Sequence, residues 1–156
     1  MNLSKALATV TVAPSLELLG DLARAQPEQT SESANAFLHT LVKTYPIGCV
    51  ALLSTGGTAQ CFGTGRVPAF VLGDGRTGRK CVSYLTDNPD LNREGFVTVD
   101  WARVMQLRVN GREITWRENE HWANKLTFPS DDLATRAGFA MEFLRRGCDP
   151  TAGLAF

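Results

Sequence analysis

The sequence predicts an α+β domain: a mainly antiparallel sheet of about five to seven strands, a meander or partly open barrel, with N-terminal helices and a C-terminal helix on one sheet face. Three observations point there. Runs of β-type residues separated by short Gly-containing turns fill the middle of the chain, a hairpin pattern surrounds Asn110-Gly111, and amphipathic helical patterns flank both. The length of 156 residues, with 44% hydrophobic and 21% charged, suits one domain over 1–156, residues 1–30 being a loosely attached segment.

The elements follow in order. Met1 to Val12 carries one lysine and a short apolar stretch broken by threonines, too weak a pattern for a signal peptide. No run approaches the length of a membrane span. Ser15 to Ala25 reads as a short helix capped by its serine and weakened by Gly20, and Gln26-Pro27 opens a connector. From Ser31, Ala34, Phe37, Leu38, Leu41 and Val42 recur at helical spacing, with Asn35, His39 and Lys43 on the opposite stripe, until Tyr45-Pro46 ends the helix.

Strand-like runs follow near 47–54, 59–63, 67–72, 80–86 and 96–100. The connections from Ser54 to Thr58 and from Gly73 to Gly78 are too short for crossover helices, so consecutive strands are expected to pair antiparallel. In the 104–117 hairpin, a type I′ turn at Asn110-Gly111 sets Leu107 opposite Ile114 and Met105 opposite Trp116 on a buried face. Arg108 then faces Glu113, and Gln106 faces Thr115, on the solvent side. The last helix has Ser130 as its cap, Asp131 and Asp132 in its first turn, Arg145 and Arg146 in its last, and Gly147 at the C′ position. Leu133, Ala137, Ala140, Met141 and Leu144 form its buried stripe, widened by Phe139 and Phe143.

Sixteen basic and sixteen acidic residues cancel, so no overall field draws the protein to nucleic acid or an anionic membrane. The four cysteines, at 49, 61, 81 and 148, have neither zinc-site spacing nor the density of a disulfide scaffold. They read as reduced, mostly buried thiols of a cytoplasmic protein. Cys49, Cys61 or Cys81 with His121 is the pairing a thiolate nucleophile would need, but nothing local activates one.

Chemistry has one natural location. The loop Arg117 to Trp122 gathers Glu118, Glu120 and His121, which could share acid–base work, although their spacing matches no metal motif and a solvated loop is expected. Glu118-x-Glu120 resembles the Glu-x-Glu of arginine-directed ADP-ribosyltransferases, and Ser54-Thr55 lies upstream where that family has Ser-Thr-Ser. That resemblance implies that Glu120 would assist attack on the nicotinamide ribose. The third serine is replaced by Gly56, and the family's early-strand arginine has no counterpart, Arg24 falling in an expected helix.

Arg66, Arg76, Arg79 and Lys80 lie on or beside Gly-rich turns and form a local anion- or partner-binding patch. Trp101 and Trp122 could stack on bases, whereas Trp116 belongs to the apolar hairpin face. The combined expectation is a non-catalytic recognition or assembly protein, such as an accessory protein of a phage or mobile element, with no metal and no cofactor. Its partner is a protein or a second copy, nucleic acid being reachable through the basic turn and a membrane not at all. The alternative is a small transferase or hydrolase using the Glu118–His121 loop.

Overall fold

The computed structural model describes residues 29–62, 65–67, 69–72, 81–86 and 96–149. The helix expected over 15–25 and the turn bearing Arg76, Arg79 and Lys80 lie outside them. The described elements are α1 (Ser31–Thr44), β1 (Gly48–Leu53), β2 (Thr58–Gln60), β3 (Ala69–Leu72), β4 (Val82–Thr86), β5 (Phe96–Asp100), a 3-10 turn (Trp101–Arg103), β6 (Gln106–Asn110), β7 (Glu113–Arg117), β8 (Trp122–Thr127) and α2 (Asp131–Gly147). The fold is α+β and its sheets are antiparallel, but the strands form two sheets rather than one meander and do not close into a barrel. The larger sheet has the order β2-β1-β8-β7-β6 and the smaller β3-β4-β5.

β8 is the strand missing from the sequence reading, and it organises the larger sheet. Glu120, His121 and Trp122 gave its start the look of a polar loop, but Trp122, Asn124 and Leu126 alternate with Ala123, Lys125 and Thr127. β8 pairs with β7 on one side and with β1 on the other, so the first and last described strands are neighbours. Asn119 makes the corner between β7 and β8: its side-chain oxygen accepts from the backbone N–H of His121 at 2.8 Å and of Trp122 at 3.2 Å.

The β6–β7 register differs from expectation. The two-residue loop is Gly111-Arg112, with Gly111 at φ +55°, so Asn110 pairs with Glu113. Moving the turn one residue along shifts each partner by two, so every side chain keeps its face but changes its neighbour. Leu107 faces Trp116 rather than Ile114, Val109 takes the place opposite Ile114, and Arg108 faces Thr115 rather than Glu113. Met105 falls off the strand end and is 58% exposed instead of packing against Trp116, while Gln106 pairs with Arg117 instead of Thr115. Glu113 instead accepts from Lys125 of β8 at 2.8 Å.

The helices form a layer that serves both sheets. α1 begins with a capping box in which Thr30 and Ser33 satisfy each other's backbone N–H groups, and it buries Ala34, Leu38, Leu41 and Val42. It packs against α2 and β3, where His39 Nδ1 lies 3.0 Å from the Phe70 carbonyl oxygen and donates to it in the tautomer protonated there. The Ser130 hydroxyl of α2 accepts from Leu133 N–H at 3.3 Å, as a cap should. Gly147 is not a C′ residue: the helix includes it and ends at Cys148, whose N–H donates to Arg145 and Arg146. The buried stripe is Ala134, Ala137, Gly138, Ala140, Met141 and Leu144, whereas Phe139 is 71% exposed and does not widen it.

One contiguous core joins these layers, with Trp101, Trp116, Phe70, Ile47, Leu85, Ile114, Met141 and Leu144 fully buried. Each contributes about 1.5–3 kcal/mol from loss of contact with water. Trp101 also donates its indole N–H to the Ser83 hydroxyl at 2.7 Å. It is a core residue and cannot serve as a stacking platform. The cysteines are not free thiols. Cys49 is bonded to Cys61 and Cys81 to Cys148. The strand pairing turns Cys49 toward the start of the loop after β2, and the end of α2 reaches the start of β4, so residues far apart in sequence come to Cα separations of 5.4 and 5.5 Å.

Candidate functional site

Strand alternation builds the main candidate site. Ile114 and Trp116 point to the inner face of the larger sheet, and Glu118, two residues further on, keeps to that face just past the end of β7. Register aligns Trp116 with Asn124 of β8 and Asn124 with Ala51 of β1, so this face is apolar at the α2 end and polar at the other. There Ala51, Glu118, Trp122 and Asn124 meet Val82 of β4, Val97, Thr98 and Asp100 of β5, and Arg103 of the 3-10 turn. Together they line a cleft of about 470 Å³ at the seam of the two sheets.

Two polar atoms at this cleft have no partner among the described residues. One Glu118 carboxyl oxygen is buried without a hydrogen bond, as is the indole N–H of Trp116. Burial pushes the Glu118 carboxyl above its ordinary 4.5; the Asp100 backbone and the Trp116 indole pull against this, the Asp100 carboxylate adds to it, and Arg103 opposes it. The indole N–H therefore lies close enough to Glu118 to favour the carboxylate without forming a bond to it. Asn124 is 7% exposed, and its carboxamide makes no hydrogen bond to any described residue. Asp100 accepts from Ala102 N–H at 3.2 Å, starting the turn that presents Arg103, while the Trp122 ring stands 51% exposed.

A second concavity runs along the opposite edge. β6 is the last strand of the larger sheet, and beside it α2 leaves a groove of about 770 Å³ containing Met105, Arg108, Val109, Phe139, Glu142 and Arg145. Gly138 sets its floor: a Cβ there would collide with the Val109 side chain, so glycine is what lets helix and strand come this close. Glu142 bonds both Arg145 and Arg146, at 2.7 and 2.9 Å, and the Arg145 contact first among these holds its carboxyl down at about 2. Arg108 has no ion pair among the described residues.

The loop residues chosen from sequence are not brought together. Glu118 enters the cleft rather than staying solvated, while Glu120 and His121 are exposed at the loop tip. Ser54 does come beside them, its N–H donating to the His121 carbonyl at 2.9 Å. Gly56, standing where the ADP-ribosyltransferase pattern has its third serine, is part of the β1–β2 turn at φ +86°. Disulfide bonding removes Cys49, Cys61 and Cys81 as nucleophiles. Arg66 is exposed in a bridge to Gly48. Among the described residues no group of three or more His, Cys, Asp or Glu is placed to hold a metal ion.

Sequence reasoning missed Asp100, Arg103 and Asn124. The alternation of residues 122–127 could have revealed Asn124 as a polar residue on an apolar face; Asp100 and Arg103 carry no such signal. No protein family, curated protein or solved structure matches this chain.

Proposed function

We propose that the protein is a recognition module that takes an extended, acidic segment of a partner protein along β6, in the groove beside α2. The observation that carries this is the coincidence of a sheet edge that no described strand pairs with and the exposed apolar side chains Met105, Val109 and Phe139. An edge strand offers every second backbone N–H and C=O to an added strand, and neighbouring side chains supply selectivity. Arg108, in the middle of β6 and without an ion pair among the described residues, favours a carboxylate opposite it. It also disfavours a second copy: two β6 strands paired antiparallel at full overlap would set Arg108 against Arg108.

The two disulfides favour work in an oxidising compartment over the cytoplasm expected from free thiols. No described helix is long and apolar enough to cross a membrane. The hydrolase or transferase alternative loses its supporting cluster, because Glu120 and His121 do not share the cleft with Glu118.

Selection from a displayed library of random peptides tests the reading. The expected winners alternate apolar residues with Asp or Glu, and Arg108→Glu and Phe139→Asp each weaken them about tenfold or more, in the range of a lost interface anchor. Winners indifferent to both substitutions would overturn it.

A further inference from the structure

The seam cleft is separate from the groove, and its lining selects a different kind of ligand. We infer that it binds a neutral, hydroxyl-rich ring, a sugar unit, stacked on Trp122 with its hydroxyls turned toward Asn124, Glu118 and Asp100.

Asn124 is the first ground. A carboxamide on a central strand, in a residue nine-tenths buried and without a bond to any described residue, has its hydrogen-bonding capacity turned to the cleft it lines. It lines the cleft together with Glu118, which has an unpaired buried oxygen. The exposed Trp122 ring is the second ground. It offers a flat apolar face beside those polar groups, and an aromatic plane next to mixed donors and acceptors matches a ring with C–H faces and an equatorial rim of hydroxyls. Charge is the third. Asp100 and Arg103 offset each other, so the lining has no cationic excess to hold a strong anion, and burial works against a full charge on Glu118 that would draw a strong cation. A volume of about 470 Å³ lies within the usual range of small-molecule sites.

Tryptophan emission reads the site directly, since Trp101 and Trp116 are buried and only Trp122 faces solvent. Glucose, galactose, mannose, N-acetylglucosamine and their β-linked disaccharides are titrated into the full chain, alongside glucosamine and glucuronate as charged versions of the same ring. At least one neutral sugar is expected to give a saturable shift with a dissociation constant of about 0.1–10 mM, the range of a few weak contacts. In Trp122→Ala the emission shift disappears, and binding followed by ligand-observed magnetic resonance weakens about tenfold; Asn124→Leu weakens it comparably. Trp122 is exposed, so its loss leaves the fold intact, and circular dichroism checks this. Phe139→Ala, in the groove, leaves sugar binding unchanged.

Three results would overturn the inference: no saturation by any neutral sugar at about 50 mM, far above a specific weak affinity; binding undiminished in both cleft variants; or a charged ring preferred over its neutral counterpart by tenfold. None of them touches the peptide reading, which rests on β6.

Discussion

Ile114, Trp116 and Glu118 follow one another on a single face of the larger sheet, yet the two ends of this line have opposite fates. At Ile114 the face is sealed by α2, whose Ala134, Ala137 and Gly138 bring the helix close; at Glu118 it opens into the seam between the sheets. Among the described residues the sealed end has no buried unpaired polar atom on its floor, whereas the open end holds the unpaired Glu118 carboxyl oxygen and Trp116 indole N–H. A packed region lowers the free energy of the fold; the cleft raises it and gains a surface with unmet hydrogen-bonding capacity. That contrast is the ordinary signature of a binding site, where stability is given up for recognition.

The largest expected effect comes from the covalent links that hold the open end in place. Cys81 immediately precedes Val82 of the cleft wall, and Cys148 ends α2, so their bond ties the smaller sheet to the helical layer across a sequence separation of 67. Chain-entropy arguments give about 4 kcal/mol for a loop of that length and about 3 kcal/mol for the shorter loop closed by Cys49–Cys61. Double replacement of Cys81 and Cys148 by alanine should therefore lower the urea midpoint more than the same change at Cys49 and Cys61. A thiol count on the denatured, unreduced protein should find none of these four free. Four free thiols would restore the cytoplasmic reading and remove the clamp from the comparison.

Next in size is the sealed end. Gly138→Ala forces the new methyl against Val109, and overpacking of this kind costs about 1–3 kcal/mol. Pairing it with Val109→Ala should recover part of the loss, because the smaller neighbour makes room. If Gly138→Ala is neutral alone, helix and strand are not held at this distance and the groove floor is looser than described.

How much of this contrast was legible beforehand depends on which signal each element carries. α2 and α1 announce themselves through caps and a 3.6-residue period, and both form where expected. The hairpin alternation identified Ile114 and Trp116 correctly, because faces survive a shift of the turn; the partners did not, since Asn110-Gly111-Arg112 allows the glycine at either central position of a two-residue loop. β8 was hidden by Glu120 and His121 just before it and by Asn124 in its middle, and of these Asn124 lines the cleft. The cysteine pairs were out of reach of sequence alone, because closeness in space was set by β1, β4 and α2 rather than by spacing. Glu118 could have been read by extending the alternation one step past Arg117; chemical expectation about polar loops stood in the way.

A smaller effect, of opposite sign, separates the two ends more directly. Asn124→Leu replaces a largely buried carboxamide that bonds no described residue with an apolar side chain of similar volume and should stabilise the protein by up to about 1 kcal/mol. Thermal unfolding in the absence of sugar measures this. A destabilised Asn124→Leu would mean that the carboxamide is satisfied, and the cleft would then resemble the groove floor in having no unmet groups.

Glu118 provides the finest test, because its contribution depends on pH. Burial raises its carboxyl above the ordinary 4.5, so the folded protein holds this proton more tightly than the unfolded chain does. Below about 4.5 both states are protonated, and the stability contributed by the neutral carboxyl is fully present. As pH climbs from there through the raised value, the unfolded chain releases its proton first and the fold loses that contribution. Glu118→Gln keeps the shape and removes the proton, so its advantage over the wild type should be small near pH 4 and grow toward pH 7, levelling off once the wild-type carboxyl has ionised. Glu142 does not obscure this: held down at about 2 chiefly by Arg145, it contributes above 4.5 and loses its contribution only as the pH falls toward 2. Urea midpoints of the two proteins across this range should therefore diverge upward. Parallel curves would show that Glu118 ionises in the fold as it does in water, leaving the Trp116 indole N–H as the buried unpaired group that distinguishes the open end from the sealed one.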